Sequence, residues 1–268
     1  MELSTDLILG KVVAFSQPVL QGGGTYLDIG SGTGALIRSI RDAHPDVKTF
    51  ACDYTESLMK VENQRVEIAN LNEDSLPYES RTFDLVTCTE VVEHLENYRK
   101  LIREVFRVTK PGGAAIFTTP NVLNLQSRLR FFYFGFWNLF GPLPVGRAES
   151  YSTVGHITPV SYFYLAHALA EAGFAVRRVA IDKPQRSAIA KVWLYWPFIA
   201  LFGFLARQRE IRRYRTVDQS NIDIVRRINS LPMLLGRTIV VMAVRESGAQ
   251  QQVPADGPAS ASLRQGRG

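Results

Sequence analysis

Residues 25–34 read Thr-Tyr-Leu-Asp-Ile-Gly-Ser-Gly-Thr-Gly, and this stretch decides the fold. A short apolar run leads into three alternating glycines, Gly30, Gly32 and Gly34, and a helix-compatible segment begins at Ala35. This order predicts a strand, a tight turn and the start of a helix. Glycine reaches backbone angles that other residues avoid and leaves room beside the main chain, so we expect the turn to cradle a ligand.

Outward from this turn, apolar runs alternate with segments of helical spacing. Further strands are predicted at residues 47–52, 65–71, 83–88, 114–118, 174–181 and 237–245. Helices are predicted at 3–20, from 55 onward, at 97–109 and at 158–172, with Pro111-Gly112-Gly113 as a turn after the third of them. The alternation predicts a Rossmann-like α/β fold, with a mostly parallel seven-stranded sheet and helices on both faces. Ligands of such sheets bind at the carboxyl ends of the strands, where the glycine turn lies.

The chain of 268 residues, 46% of them hydrophobic, is long enough for one large domain with additions. We place this domain at residues 1–245, with a lid-like aromatic insertion at about 121–157 and an apolar, basic insertion at about 185–232. Residues 246–268 are rich in small and polar residues and poor in large apolar ones. This tail is therefore predicted to be disordered.

Cysteine use and the first residues bear on the cellular compartment. Cys52 and Cys88 each end an apolar run, which favours buried free thiols in a reducing compartment. Residues 1–6 carry acids and do not begin a basic region followed by a long apolar core, so no secretory signal is predicted. We expect a cytoplasmic protein. The net charge of +6 does not by itself identify a partner.

Two classes of ligand compete for the glycine turn. The pattern Gly30-x-Gly32-x-x-Ala35, followed by Asp53, loosely satisfies the dinucleotide-binding fingerprint. The same turn also reads Asp28-x-Gly30-x-Gly32-x-Gly34, with an acid inside the strand before the first glycine. The turn alone leaves both classes open.

Further motifs make the second pattern specific. They are residues 27–34, Asp53, Asn72 followed by Leu76-Pro77-Tyr78, Phe83-Asp84-Leu85-Val86 and Pro111-Gly112-Gly113, in that order. With these motifs the chain resembles class I S-adenosylmethionine-dependent methyltransferases, and is similar to the ubiquinone-biosynthesis type and the type 11 and 23 groups. The resemblance covers roughly residues 24–182.

The resemblance implies a binding role for a set of residues in the strand-end loops. Asp28 would face the cationic methionine portion of S-adenosylmethionine, Asp53 would accept both ribose hydroxyls, and Asn72 would bond the adenine amino edge. The full expected set is Asp28, Gly30, Ser31, Gly32, Gly34, Asp53, Tyr54, Asn72 and Thr89. Asn72 stands where the family often has Asp.

Chemistry is expected from the segment Thr89-Glu90-Val91-Val92-Glu93-His94-Leu95. If helical, it places Glu90, Glu93 and His94 on one face. His94, with Glu93 beside it as a second catalytic candidate, would then be the general base for an acceptor hydroxyl. Alternatively, Glu90, Glu93 and His94 bind a divalent cation with His156 as a fourth ligand, because the segment is similar to the metal-holding Glu-x-x-Glu-His of ubiquinone-biosynthesis O-methyltransferases and small-RNA 2′-O-methyltransferases. A third interpretation is an exposed Glu–His pair without a role.

The two insertions bear on the acceptor. Residues 125–140 combine arginines with dense aromatics, and the fifteen residues 192–206, which contain Pro197, precede five arginines at 207–215. An apolar run shorter than the ~20 residues of a membrane span, next to aromatics and arginines, is typical of a segment in the headgroup region of an anionic membrane. The alternative is an internal hydrophobic lid. Nucleic acid is disfavoured because the arginines accompany a long apolar stretch.

These features predict O-methylation of a small-molecule acceptor that is lipophilic or lipid-linked, such as a quinone precursor, a polyprenyl-linked sugar or a glycan. Peripheral contact with the inner face of an anionic membrane is expected with it. One competing hypothesis is a nicotinamide-dependent oxidoreductase, which the lack of a suitably placed Tyr-x-x-x-Lys pair disfavours. Another is a non-catalytic, membrane-associated protein that retains the fold.

Overall fold

A computed structural model describes residues 5–143 and 155–247. Its centre is a sheet with the strand order β3-β2-β1-β4-β5-β7-β6, in which β7 alone of the described strands runs in the direction opposite to the others. The strands are β1 Gly24–Ile29, β2 Val47–Asp53, β3 Val66–Ile68, β4 Phe83–Thr89, β5 Thr109–Pro120, β6 Phe174–Ile181 and β7 Thr238–Arg245. The predicted α/β fold with a mostly parallel seven-stranded sheet is confirmed.

Helices cover both faces of the sheet. They are α1 Asp6–Leu20, α2 Ala35–Ala43, α3 Tyr98–Val108, α4 Leu125–Phe134, α5 Tyr162–Ala172, α6 Arg186–Arg209, α7 Ile222–Arg227 and α8 Leu231–Leu235. On one face, α1 and α2 bury a cluster that includes Val12 and Ile37 against β1. On the other, α3 and α5 bury Val105 and Leu165 against β4 and β5. Apolar side chains at helical spacing explain this packing.

Three local predictions were wrong. Residues 55–59 form turns rather than a helix. Pro111-Gly112-Gly113 lies inside β5, where the pairing register shifts between Phe83 and Leu85, so the motif forms a strand irregularity instead of a separate turn. The apolar run at 192–206 belongs to a longer helix, because α6 continues through Pro197 and passes into a π-helical turn, Glu210–Tyr214.

Both insertions begin at the carboxyl end of a strand, on the same side of the sheet. Pro120, the last residue of β5, pairs with Thr238, the first of β7, and Ile181 at the end of β6 pairs with Ile239. The first insertion contains α4, and its residues 144–154 lie outside the described residues, as do residues 248–268 of the predicted disordered tail. The second insertion contains α6, the π-helical turn, α7 and α8. Both therefore lie at the carboxyl ends of the parallel strands, on the same edge as the glycine turn.

Candidate functional site

The three glycines of the turn after β1 have different surroundings. All three have a positive φ, which is +70° at Gly30, +48° at Gly32 and +76° at Gly34. A Cβ on Gly30 would overlap Cγ2 of Val91, and one on Gly34 would lie 2.6 Å from Sδ of Met59. A Cβ on Gly32 would meet no described atom within 4 Å. Gly30 and Gly34 therefore permit close protein packing, whereas Gly32 leaves the main chain open to a ligand.

A cavity of about 1090 Å³ lies beside this turn, at the carboxyl ends of β1, β2 and β4. Most of the predicted binding residues line it, namely Asp28, Gly30, Ser31, Gly32, Asp53, Tyr54, Asn72 and Thr89. Glu90 and His94 line it too. Within the described part of the chain, Gly34, Glu93 and His156 do not line this cavity. The structure thus brings the glycine turn, the acids and part of the 89–95 segment into one space.

Asp53 is held by two backbone amides. Its Oδ2 accepts a hydrogen bond from the Gly32 amide at 2.8 Å, and its Oδ1 accepts one from the Tyr54 amide at 2.7 Å. The side chain is buried, yet it lines the cavity. Since each carboxylate oxygen has two acceptor positions, both oxygens retain one for hydroxyl groups of a ligand.

Asp28 ends a buried chain of hydroxyl groups. Thr87 Oγ1 donates to Asp28 Oδ1 at 2.7 Å, and the hydroxyl of Tyr26 lies 2.7 Å from the same Thr87 oxygen. Burial raises the pKa of Asp28 to about 7. A cationic ligand in the cavity would favour the ionised carboxylate, so its binding is coupled to loss of the Asp28 proton.

We therefore expect the affinity for S-adenosylmethionine to fall as the pH falls through about 7, the pKa of Asp28 in the free protein. Below that pKa the loss approaches about tenfold for each pH unit, because a proton must leave before the cation is stabilised. Calorimetric titration across this range measures the effect. Asp28→Asn keeps an acceptor for Thr87 and should bind more weakly, with a flat profile; an unchanged pH dependence in the variant would assign it to another group.

Asn72 connects two loops of the cavity. Its side-chain Oδ1 accepts a hydrogen bond from the backbone amide of Glu96 at 2.9 Å, and its backbone amide donates to Asn70 Oδ1 at 3.2 Å. Sequence reasoning missed Asn70, which also lines the cavity, and missed the apolar lining side chains Leu58 and Ile68. Ile68 is 55% exposed at the end of β3, so only the three-dimensional structure reveals its position beside the cavity.

Two hydroxyl groups in the cavity fit a polar ligand. Ser31 Oγ and Thr89 Oγ1 are buried and have no hydrogen-bond partner among the described residues. Both residues line the cavity. Because an unpaired buried hydroxyl costs free energy, a ligand with polar groups at these positions would stabilise the site. These groups, the open Gly32 backbone and the two carboxylates fit the amino-acid and ribose portions of S-adenosylmethionine.

The segment 89–95 is not an α-helix, so the condition for one shared face is not met. The segment forms a short 3-10 turn, Val92–His94, and Glu90 precedes it with a φ of +55°. This left-handed conformation is strained for a non-glycine residue, and the Glu90 amide secures it by donating to Thr118 O at 3.2 Å and to Thr118 Oγ1 at 3.0 Å. Glu90 and Glu93 therefore do not share a helix face with His94.

The two acids of this segment lie in different surroundings. Glu90 accepts a hydrogen bond from Thr118 Oγ1 at 3.1 Å, and burial raises its pKa to about 7. Glu93 is fully buried, and burial together with the Glu90 charge raises its pKa well above the ordinary value. Its Oε2 accepts from Thr119 Oγ1 at 3.1 Å, whereas Oε1 has no partner in the described ranges.

His94 is oriented by the segment that follows the first insertion. Its Nδ1 lies 2.9 Å from the carbonyl oxygen of Gly155. Because a carbonyl only accepts, Nδ1 carries the proton and Nε2 keeps a free lone pair in the neutral ring. Burial lowers the pKa of His94, which keeps the imidazole neutral at neutral pH. The ring of this neutral base lines the cavity.

His156, the expected fourth ligand of the metal alternative, lies close to His94. Their ring centroids are 4.8 Å apart, and His156 Nδ1 is buried without a partner among the residues described. Donor atoms of Glu93, His94 and His156 lie within 4.8 Å of one another. Glu90 is not part of this group, so the predicted four-residue set reduces to three.

Comparisons with known proteins agree with this geometry. A family profile described as a methyltransferase domain matches residues 5–179. The demethylmenaquinone methyltransferase of Geobacillus stearothermophilus is 31% identical over 146 residues, which are 50% of this chain and 62% of that protein. The ubiquinone/menaquinone biosynthesis C-methyltransferase of Pseudomonas fluorescens is 27% identical over 169 residues, 56% of this chain and 66% of that protein. The chain thus spans less than two thirds of the length of these relatives.

Solved structures are similar in fold. A SAM-dependent methyltransferase from Archaeoglobus fulgidus superposes with a TM-score of 0.52 at 17% identity, over 88% of this chain and 94% of that one. One from Mesorhizobium loti gives a TM-score of 0.50 at 15% identity, over 88% of this chain and 96% of that one. These identities show the fold alone. The family profile covers most of the chain, and with it the glycine turn and the cavity, so the chain belongs to the S-adenosylmethionine-dependent methyltransferases.

Proposed function

We propose that this protein transfers a methyl group from S-adenosylmethionine to an acceptor hydroxyl, with His94 as general base. One observation carries the proposal: a neutral histidine, whose Nε2 has no hydrogen-bond partner among the described residues, lines the same cavity as the glycine turn, Asp28 and Asp53. S-adenosylmethionine supplies an electrophilic methyl group on a sulfonium. Alignment of the acceptor oxygen, and removal of its proton, are then what the protein must contribute.

Three residues that line the cavity have separate roles in this proposal. Asp28 stabilises the cationic methionine portion, and Asp53 accepts the ribose hydroxyls with oxygens that the Gly32 and Tyr54 amides already orient. His94 takes the acceptor proton at Nε2, while its Nδ1 proton stays bonded to Gly155. The main chain of Glu93, the residue predicted as a second catalytic group, helps to position His94: its backbone carbonyl accepts hydrogen bonds from the amides of Ile157 and Thr158, next to the segment that orients His94.

The acceptor we propose is a small lipophilic or lipid-linked molecule, methylated on the cytoplasmic side of a membrane. Two features support it: the aromatic α4 and the apolar α6 both lie at the edge of the sheet that contains the cavity, and the named acceptor of the Geobacillus relative is a menaquinone precursor. Quinone precursors, polyprenyl-linked sugars and lipid-linked glycans all fit this class.

A second candidate is methylation at carbon. The names of the relatives favour it, since one is a C-methyltransferase of quinone biosynthesis. On a quinol ring this reaction also begins with loss of a hydroxyl proton, which makes the adjacent ring carbon nucleophilic. His94 would therefore have the same role, and only the position of the methyl group in the product separates the two reactions.

A divalent cation is the alternative to a base. Glu93 Oε1 and His156 Nδ1 are buried and unpartnered in the described part of the chain, and both lie near His94. Neutral imidazoles and a carboxylate suit a first-row transition metal, which would polarise an acceptor oxygen. The two proposals exclude each other at one atom, because a single lone pair on Nε2 of His94 binds either a proton or a metal.

We expect calorimetric titration to detect binding of S-adenosylhomocysteine and none of NAD, which separates methyl transfer from the nicotinamide alternative. Incubation with methyl-labelled S-adenosylmethionine and short-chain quinol analogues should then give a labelled product, whose analysis places the label on oxygen or carbon. Binding of NAD but not of S-adenosylhomocysteine would contradict the proposed cofactor. Binding of S-adenosylhomocysteine with no labelling of quinol, polyprenyl-linked or glycan acceptors would favour a non-catalytic protein.

A further inference from the structure

Helix α6 contacts the rest of the domain along one narrow face. Ala188 and Val192 are buried in a cluster with Leu125 of α4 and Leu234 of α8, and Ile199 packs against that cluster. Farther along, Gly203 faces Asn229 so closely that a Cβ at this position would overlap its Nδ2. The contact positions 188, 192, 199 and 203 are spaced by four and seven residues, which is one face of an α-helix. The domain thus supports α6 over much of its length.

Arg128 holds the segment against which the C-terminal half of α6 packs. From α4 its guanidinium donates to Asn229 Oδ1 and to the Ile228 carbonyl, both at 2.8 Å. Asn229 is the residue that contacts Gly203 of α6. Helices α4 and α6 therefore form one surface, which we call the α4–α6 face.

The outer side of the α4–α6 face is apolar and unusually exposed. Trp193 is 81% exposed and Phe202 61% on α6, and Phe132 is 87% exposed on α4. Other exposed apolar side chains of the two helices include Tyr133, Leu194, Phe198 and Leu205. A contiguous surface of this kind marks a site of contact with a protein or a membrane.

A basic cluster continues from the same helix and indicates which partner fits. Arg207, Arg209, Arg212, Arg213 and Arg215 follow the apolar run. Glu210, the acid among them, bonds Thr216. Aromatic and aliphatic side chains beside arginines match the interface of an anionic bilayer, where the rings enter the headgroup boundary and the guanidiniums meet lipid phosphates.

The α6 helix is long enough to cross a membrane by length and composition alone. Its 24 residues extend about 36 Å, against a hydrocarbon core of ~30 Å. Crossing would separate Gly203 from Asn229. It would also draw the return segment to β7 through the bilayer, and that segment carries Asp218, Asp223, Arg226 and Arg227.

We propose that the α4–α6 face docks on an anionic bilayer with α6 lying in the plane of the interface, so that both of its ends remain on the protein side. Both insertions and the cavity lie at the carboxyl ends of the parallel strands. This orientation therefore turns that end of the domain, with the cavity, toward the lipid. The proposal deepens the proposed function, since a lipophilic acceptor would enter from that surface. Docking itself requires neither cofactor nor turnover.

Sedimentation with vesicles tests the docking in the absence of cofactor. The full chain should bind vesicles of phosphatidylcholine and phosphatidylglycerol, and more strongly at low salt than at high salt. Replacing Arg209, Arg212 and Arg213 with Gln should weaken this binding about a hundredfold. The matched triple replacement of Arg65, Arg103 and Arg177, exposed arginines outside the face, removes the same charge and should change it little.

The apolar contribution has its own variant pair. Trp193→Ser with Phe202→Ser should reduce binding, whereas Leu7→Ser with Tyr164→Ser, which also removes exposed apolar side chains, should not. Absence of vesicle binding by the full chain at low salt would overturn the proposal, as would equal effects of the paired variants. A dimer in size-exclusion chromatography that the Trp193 and Phe202 replacements dissociate would instead identify a second copy as the occupant.

Cysteine labelling on sealed vesicles tests the orientation. The native Cys52 and Cys88 are buried, so they provide a low background. A cysteine introduced as Arg186→Cys or as Tyr214→Cys should react with a membrane-impermeant maleimide added outside, because both ends of the helix stay on that side. Protection of one of the two positions would show a crossing helix and overturn the in-plane orientation. Success or failure here leaves the methyl-transfer assay unaffected.

Discussion

Replacing His94 with Asn is expected to lower methyl transfer by about 10²- to 10⁴-fold, the usual contribution of a positioned general base. The asparagine amide nitrogen takes approximately the place of Nδ1 and can keep the hydrogen bond to Gly155, but no group remains to accept the acceptor proton. Affinity for S-adenosylhomocysteine should stay the same. Single-turnover rates with the labelled cofactor measure the change.

His167→Asn is the matched control, since His167 is a partly exposed histidine of α5 that pairs with Glu171 away from the cavity. It should retain full activity. Full activity of His94→Asn would remove His94 from the mechanism. A parallel loss of cofactor affinity would point instead to a structural role.

The same assay separates a base from a metal ligand. If His94 is a base, the single-turnover rate at saturating cofactor stays constant above the pKa of His94 and falls below it, and burial places that pKa under the ordinary histidine value. Chelators then have no effect. If Glu93, His94 and His156 hold a cation, chelation abolishes transfer, an added transition metal restores it, and His156→Asn lowers the apparent metal affinity.

The second large effect concerns the glycine turn. Gly32→Ala is expected to weaken S-adenosylhomocysteine binding by at least about tenfold, or ~1.4 kcal/mol, because its Cβ would project into the space that the ligand's approach requires. Its cost in stability should be limited to the strain of a positive φ, about 1–3 kcal/mol. Gly30→Ala should lose about 1–3 kcal/mol more, since its Cβ overlaps Val91.

Gly112→Ala supplies the control for strain alone. Gly112 has a φ of +80° and no described atom within 4 Å of its Cβ position, and it does not line the cavity. This variant should lose stability to a similar degree as Gly32→Ala and keep full affinity. Calorimetric titration and thermal unfolding of the three variants give both quantities. Equal affinity of Gly32→Ala and Gly112→Ala would contradict a ligand-facing role for Gly32.

Much of the fold could be predicted from local pattern. Some features depend only on residues that are close in the sequence, and these could be predicted. They are the strand β1 that leads into alternating glycines, the apolar spacing of α3 and the near-continuous apolar strands. The predictions that were wrong depend on distant contacts. The motif Pro111-Gly112-Gly113 looks like a turn, but Thr109 and Ala114 on either side of it pair with β4 and hold it inside β5.

The candidate site divides along the same line. The sequence by itself determined the methyltransferase family, the glycine turn and the acids Asp28 and Asp53. These residues lie at the carboxyl ends of predicted strands, and in a parallel sheet those ends meet on the same side. Tertiary structure alone decided that Glu90 is not part of the Glu93–His94–His156 group, since Thr118 on the neighbouring strand holds the Glu90 backbone in a left-handed conformation. Tertiary structure also decided that α6 packs on α4 with its aromatic side exposed. Helix α6 is apolar on all sides, so its sequence has no periodicity that shows which face is buried, and that face depends on the elements packed against it.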